Sequence, residues 1–95
     1  MTVSMIARHK VKDFAIWKKG YDGTAQFRKD GGVIADSVHR ALDDPNMVTV
    51  YHQFADESTA KAFGARVNSD EFRTATKDMG IDFGTMEVWT LEDVE

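Results

Sequence analysis

Two runs of β-forming residues, 33–42 and 47–54, constrain the fold of this chain more than any other feature. The stretch 43–46 between them is rich in turn-forming residues. Its Pro45 holds φ at about −65° and has no amide hydrogen to donate to a sheet. The Asp and Asn residues around it are types that bond to their own backbone in turns. The pattern predicts a β-hairpin with Pro45 in the connection.

The length of this connection decides whether two histidines meet. His39 lies in the first run and His52 in the second. A loop of two or four residues places them on the same face of the sheet, whereas a three-residue loop with a bulge separates them.

Two further strands and two helical regions surround the hairpin. Residues 3–11 and 81–91 are strand-like, the first with the strict alternation of a half-buried strand. On the last strand we expect one face to carry Ile81, Phe83, Trp89 and Leu91, and the other Met86 and Val88. The chain ends in four residues, 92–95, that we expect to fray.

The helical regions are marked by caps and apolar stripes. Asp13 is a good N-cap for a helix over 13–29, and Phe14, Trp17 and Tyr21 follow at helical spacing. Two glycines inside this helix predict a kink. Residues 56–58 open a second helical region up to Gly80, in which a break and a fresh cap at 68–71 predict two short helices or one broken helix.

The order of elements predicts an α+β fold of one domain over 1–95. A β-α-β-β-α-β chain with right-handed crossovers gives a ferredoxin-like layout, with an antiparallel sheet in the order 4-1-3-2 and both helical regions on one face. Large apolar residues nevertheless occur on both faces of the predicted strands. Because an exposed apolar face is unusual on a monomer, we predict a homodimer in which two sheets pack face to face as a barrel.

Composition excludes several classes of function. The chain has 42% hydrophobic and 29% charged residues, as ordinary globular proteins do, and its net charge of −4 argues against a nucleic-acid partner. No apolar run approaches the roughly 20 residues of a membrane span. Cysteine is absent, which removes disulfides and thiolate chemistry. We expect a cytoplasmic protein without a membrane partner.

The spacing of many of these residues resembles the dimeric α+β barrel superfamily. Within it the chain is most similar to small antibiotic biosynthesis monooxygenase-like proteins, some of which carry the label cyclase. The resemblance covers residues 3–91 and rests on Asp13-Phe14, Trp17, Arg40, residues 43–46, Phe54-Ala55-Asp56, Ala60, Phe63, Phe72, Met79 and Glu87-Val88-Trp89. Because the superfamily also contains haem-degrading oxygenases and lactone isomerases, it leaves the function open.

This resemblance implies a site for cofactor-free oxygen chemistry on a small aromatic or polyketide-like molecule. The candidates for catalysis are His52 or Tyr51 as proton acceptor and Arg40 as partner of an enolate or phenolate. The candidates for substrate binding are Trp17, Tyr21, His39 and Trp89. No cofactor is expected, and haem degradation is disfavoured because residues 56–80 lack the histidine that haem-degrading relatives use. The two tryptophans are also typical of core positions.

Two alternatives remain open at this point. His9, His39 and His52 fall on strands that are neighbours in the predicted sheet and could converge on a metal, but no HxH or HxxxH spacing is present, so we predict no metal site. A non-catalytic dimer that binds a small hydrophobic ligand, or one that associates with another protein, would have the same fold. A solvent-accessible cavity holding His52 or Tyr51 together with Arg40 favours the enzyme, a purely apolar cavity favours the binding protein, and a filled interior favours the association dimer.

Overall fold

A four-stranded antiparallel sheet is the frame of the computed structural model, which describes residues 1–94. The elements in chain order are β1 (Val3–Val11), α1 (Phe14–Gly23), α2 (Ala25–Asp30), β2 (Val33–Ala41), β3 (Asp44–Phe54), α3 (Glu57–Val67), α4 (Asp70–Ala75), a 3-10 helix (Lys77–Met79) and β4 (Ile81–Glu92). The sheet order is β2-β3-β1-β4. This is the predicted order read from the opposite edge, so the ferredoxin-like α+β fold is confirmed.

The helices begin where the sequence predicts. The carboxylate of Asp13 accepts from the amide of Ile16 at 3.2 Å, and that of Asp56 accepts from Thr59 at 2.8 Å. The predicted helix over 13–29 is divided at Thr24 into α1 and α2. The second region is likewise two short helices, as expected. Within residues 1–94, no helix is long and apolar enough to cross a membrane.

The connection of the hairpin differs from the prediction. Residues 42 and 43 form the turn, and Pro45 lies inside β3 instead of in the loop. Although this loop has two residues, a register shift beside it changes the pairing, so that Arg40 faces Val48. The expectation that a two-residue loop brings His39 and His52 to one face is therefore wrong. His39 is opposite Thr49 on one face, and His52 lies with Val48 on the other.

The face assignment of β4 is also corrected by a bulge. The register of β1 with β4 shifts between Arg8 and Lys10. Before the shift, Trp89 pairs with Ile6 on the face away from the helices. Beyond it, Ile81 pairs with buried Val11 on the helix side. The strand thus carries its apolar ends to opposite faces, which a strict period of two does not predict.

The helices cover one face of the sheet and leave the other without a cover. On the covered face two apolar clusters form, one around Phe54 and Phe63 and one around Trp17 and Val48. The opposite face, called the open face below, carries Ile6, Tyr51, Trp89 and Leu91. Trp89 and Leu91 are 45% and 44% exposed.

The acidic end of the chain is more ordered than expected. Glu92 belongs to β4, and Asp93 accepts hydrogen bonds from Thr2, Ser4 and Gln53. These bonds hold the pKa of Asp93 below its usual range. The expected fraying is therefore wrong for residues 92 and 93, and Glu95 lies outside the described residues.

Gly80 offers a test of how the 3-10 helix is joined to β4. Its φ is +71°, and a Cβ there would press on the side chain and backbone of Lys12. Gly80→Ala should lower the free energy of unfolding by about 1–2 kcal/mol, because an L-residue is strained in the left-handed region. Gly23→Ala is the matched control, since nothing lies near its added methyl group. Urea denaturation of both variants measures the difference, and equal midpoints would contradict this account.

Candidate active site

A cavity of about 160 Å³ lies between the covered face of the sheet and the helices. Its floor is formed by β1 and β3, its roof by all four helices, and one wall by β4. Its apolar lining comprises Met5, Ala7, Val50, Phe27, Phe63, Val67, Phe72, Met79, Ile81, Met86 and Val88, and its polar lining comprises His9, Trp17, Tyr21, Thr24, Arg28, His52, Asn68 and Thr76. Val88 is half-exposed, so the cavity opens to solvent beside the β4 edge.

Four aromatic rings form a row along this cavity. The ring of His9 meets Trp17 edge-on at 5.8 Å, Trp17 stacks on Tyr21 at 5.0 Å, and Tyr21 stacks on His52 at 6.3 Å. The two histidines come from β1 and β3, and the other two rings come from one stripe of α1. The packing of α1 on the sheet therefore fixes the row.

A buried guanidinium group packs on the third ring of the row. Arg28 of α2 lies 3.6 Å above the centre of the Tyr21 ring. It donates to the carbonyl oxygen of Tyr21 at 2.7 Å and to Oγ1 of Thr24 at 2.9 Å. Its Nε lies 3.7 Å from the carboxylate of Asp36 on β2. This ion pair compensates the buried charge and connects the helices to the edge strand.

The hydroxyl group of Tyr21 determines the tautomer of His52. It donates to Oδ2 of Asp36 at 2.7 Å, and it also lies 3.2 Å from Nε2 of His52. The hydroxyl has one hydrogen, and it gives this hydrogen to the carboxylate, which can only accept. The hydrogen between the hydroxyl oxygen and Nε2 must then belong to Nε2 of His52. Nδ1 of His52 is then the basic nitrogen. Burial and the bond to Asp36 raise the pKa of Tyr21, so the phenol stays protonated.

His52 is kept neutral by its surroundings. Burial, and then the positive charge of Arg28, lower its pKa to about 4, while Asp36 acts in the opposite direction. Its ring packs edge-on against Phe54 and Phe63, with centroids 6.4 and 5.3 Å away. At neutral pH it is therefore a proton acceptor fixed in an apolar environment.

Three ring nitrogens at the cavity have no partner within residues 1–94. They are Nδ1 of His52, Nε1 of Trp17 and Nε2 of His9. Nδ1 of His9 lies 3.5 Å from the carbonyl oxygen of Lys10, so we assign the ring hydrogen of His9 to Nδ1. Every fully buried polar side-chain atom in this part of the chain does have a partner. The three nitrogens must therefore reach accessible space, which at these positions is the cavity. They present two acceptors and one donor.

The structure brings three of the seven predicted site residues to the cavity, namely Trp17, Tyr21 and His52. The other four lie outside it. Tyr51 and Trp89 are on the open face, where the Tyr51 hydroxyl lies 3.3 Å from that of Ser4. His39 is exposed and contacts Ser37, and Arg40 stacks on the ring of Phe14.

Sequence reasoning missed Arg28 and Asp36. The signal for Arg28 is its spacing of seven residues from Tyr21, which would place both on one stripe of a continuous helix. Asp36 alternates with Val38 on the covered face of β2, where a carboxylate needs a partner. Neither signal says which residues would pair.

The histidines do not form a metal site. His9 and His52 both face the cavity but are separated by the rings of Trp17 and Tyr21, and His39 is on the other face. Within residues 1–94 no group of three or more His, Cys, Asp or Glu side chains could hold a metal ion.

Comparisons with known proteins show the fold. The chain matches no family model, and no curated protein is similar to it in sequence. A proposed antibiotic biosynthesis monooxygenase from Bordetella bronchiseptica has a TM-score of 0.77 at 16% identity, over 99% of this chain and 98% of that one. SnoaB, a cofactor-independent oxygenase from Streptomyces nogalater, has a TM-score of 0.72 at 18% identity, over 99% and 94%.

A further proposed antibiotic biosynthesis monooxygenase, from Caulobacter crescentus CB15, has a TM-score of 0.71 at 21% identity, over 99% of this chain and 91% of that one. The predicted resemblance in fold to the antibiotic biosynthesis monooxygenase-like proteins is thereby confirmed. At these identities the likeness extends to the fold alone.

The lowered pKa of His52 predicts a stability that falls in mild acid. Since unfolding restores the ordinary pKa of about 6.5, the unfolded chain binds the extra proton first, and stability is lost as the pH falls from there towards 4. Between about pH 7 and pH 4.5 this loss should be about 2 kcal/mol after allowance for the partial exposure of the ring. His52→Phe should abolish that part of the loss.

Urea denaturation of the parent and variant at both pH values measures this difference. His39→Phe is the matched control, because His39 is exposed on the other face and its variant should retain the acid sensitivity of the parent. Buried His9 also has a lowered pKa but remains in all three proteins, so its contribution cancels. An acid loss in His52→Phe equal to that of the parent would refute the assignment.

Proposed function

We propose that this chain is a cofactor-independent oxygenase that acts on a small aromatic molecule with an ionisable hydroxyl group. The observation that carries the proposal is the neutral imidazole of His52, which lines an aromatic-rich cavity and whose Nε2 is bonded to Tyr21, so that Nδ1 is the basic nitrogen. A base held in this way is what the removal of a hydroxyl proton requires. The likeness in fold to a cofactor-independent oxygenase supports the same kind of chemistry.

In the proposed reaction the substrate donates its hydroxyl proton to Nδ1 of His52. Proton transfer to a base with so low a pKa is uphill, and two features reduce the cost. Asp36 stabilises the imidazolium through the hydroxyl of Tyr21, and Arg28 stabilises the phenolate electrostatically.

The phenolate then supplies all the electrons. It reduces O₂, a C–O bond forms at the ring carbon opposite the hydroxyl, and the peroxide takes the proton back from Nδ1 of His52, giving a ring hydroperoxide. Loss of water breaks the O–O bond and removes the hydrogen from that carbon, leaving a quinone. One oxygen atom enters the ring and the other leaves as water, so phenol plus O₂ gives quinone plus water. Because the substrate is the reductant, the proposal needs no cofactor.

The alternative is a protein that binds the same kind of molecule without converting it. The largely apolar lining is compatible with that role. The polar cluster of Tyr21, Arg28, Asp36 and His52 favours the enzyme, because Tyr21 and His52 line the cavity with shifted pKa values, and such groups are typical of active sites.

Oxygen consumption tests the activity. Electron-rich phenols and quinol-type compounds with an open ring position should be converted, with uptake of one O₂ per quinone formed. His52→Phe should lower the rate by about 10²-fold or more, the usual contribution of a general base. Lys61→Ala, on the exposed side of α3, is the control and should retain the parent rate. If these compounds bind but are not converted, the binding protein is the correct alternative.

We also propose that two copies pack through their open faces as a homodimer. Ile6 pairs with Tyr51 on one side and with Trp89 on the other, which places three large side chains in a row across the sheet. The second copy is the natural occupant, because a two-fold axis brings this row against its own equivalent.

Sedimentation velocity tests this interface. Trp89→Glu should convert a dimer into a monomer at micromolar concentration, because it places a charge in the centre of the apolar row. Ile16→Glu is the matched control, since Ile16 is 58% exposed on α1, away from the open face. A monomeric parent, or a dimer that survives the Trp89 substitution, would contradict the proposed interface.

A further inference from the structure

The size of the cavity limits what it can hold. Pockets for drug-sized ligands usually measure about 300–1,000 Å³, whereas a closed apolar cavity of about 150 Å³ holds one benzene ring. At about 160 Å³ this cavity corresponds to a single six-membered ring. Fused tricyclic molecules would extend beyond this volume.

The polar groups of the cavity define what that ring should carry. Trp17 is 2% exposed and His9 is 4% exposed, so the indole N–H and the imidazole nitrogens have almost no access to bulk water. Without a ligand or an ordered water molecule, these nitrogens have no partner in the described part of the chain. The acceptors on the two histidines require a ligand that donates a hydrogen bond. A hydroxyl group does so.

One of the side chains on the helix side of the cavity belongs to the short helix α4. Phe72 of α4 lines the cavity and packs on Phe27 with ring centroids 5.3 Å apart. Both rings are only partly buried, and the helix that carries Phe72 has six residues. Truncation of this ring would enlarge the cavity outwards without touching His52, Tyr21 or Trp17.

We infer that the cavity selects single-ring phenols, that its preference for the hydroxyl group comes from Nδ1 of His52, and that Phe72 excludes fused ring systems. The inference rests on the proposed function for the identity of the site. It goes further by naming the ligand class and the residue that limits its size.

Chemical-shift titration of the ¹⁵N-labelled protein tests the inference without turnover. The probes are phenol, toluene as the isostere without a hydroxyl group, and 2-naphthol with two fused rings, all added under nitrogen. Phenol should shift the indole N–H signal of Trp17 and leave that of Trp89 on the open face unchanged. Toluene should bind about tenfold more weakly, and 2-naphthol should not bind measurably.

Two variants separate the two determinants. His52→Phe keeps a ring in place but removes the hydrogen-bond acceptor. In this variant the affinities for phenol and toluene should differ by no more than about twofold. Phe72→Ala should admit 2-naphthol while retaining the preference for phenol over toluene. Circular dichroism and the Trp89 signal confirm folding in each case, and Phe72→Leu serves as a milder substitute if the alanine variant is unfolded.

The outcomes distinguish this inference from the proposed function. Equal binding of phenol and toluene, binding of 2-naphthol to the parent as tight as that of phenol, or shifts at Trp89 instead of Trp17 would overturn it. Selective binding of phenol without oxygen uptake would support the inference and refute the oxygenase. Conversion of tricyclic quinols by a protein that does not bind phenol would support the oxygenase and refute the inference.

Discussion

The pairing of Arg28 with Asp36 is the interaction on which the candidate site depends. A buried guanidinium is unfavourable unless it is compensated, and here it meets a carboxylate, a hydroxyl, a carbonyl and an aromatic face. The carbonyl belongs to Tyr21, near the end of α1, where backbone acceptors lack helical partners. The break between α1 and α2 at Thr24 therefore contributes to the site, because it leaves the carbonyl oxygen of Tyr21 available to Arg28.

The same pairing controls the chemistry of His52 at a distance. Asp36 accepts the hydroxyl hydrogen of Tyr21, so Tyr21 can only accept from the imidazole, and the basic nitrogen is left facing the cavity. Arg28 lowers the pKa of His52 whereas Asp36 raises it. The ion pair thus influences both which nitrogen of His52 is basic and the pKa of that imidazole.

The fold followed from the sequence because the patterns that specify it are local and repeated. Capping residues such as Asp13 and Asp56 and the alternation in residues 3–11 indicate elements and their order without tertiary information. The faces of His39 and of the last strand were not predictable to the same degree. One bulge reverses every assignment beyond it, and a bulge depends on pairing with another strand.

Strand periodicity also connects the cavity to the open face. Tyr51 and His52 are consecutive on β3, and Val88 and Trp89 are consecutive on β4, so one member of each pair faces the cavity and the other faces away. A partner that packs on the open face would press on the same backbone that carries the base and the mouth of the cavity. Sequence reasoning combined His52, Tyr51 and Trp89 in one site because adjacency along the chain hides this division, whereas the sheet places His52 at the cavity and the other two residues on the open face.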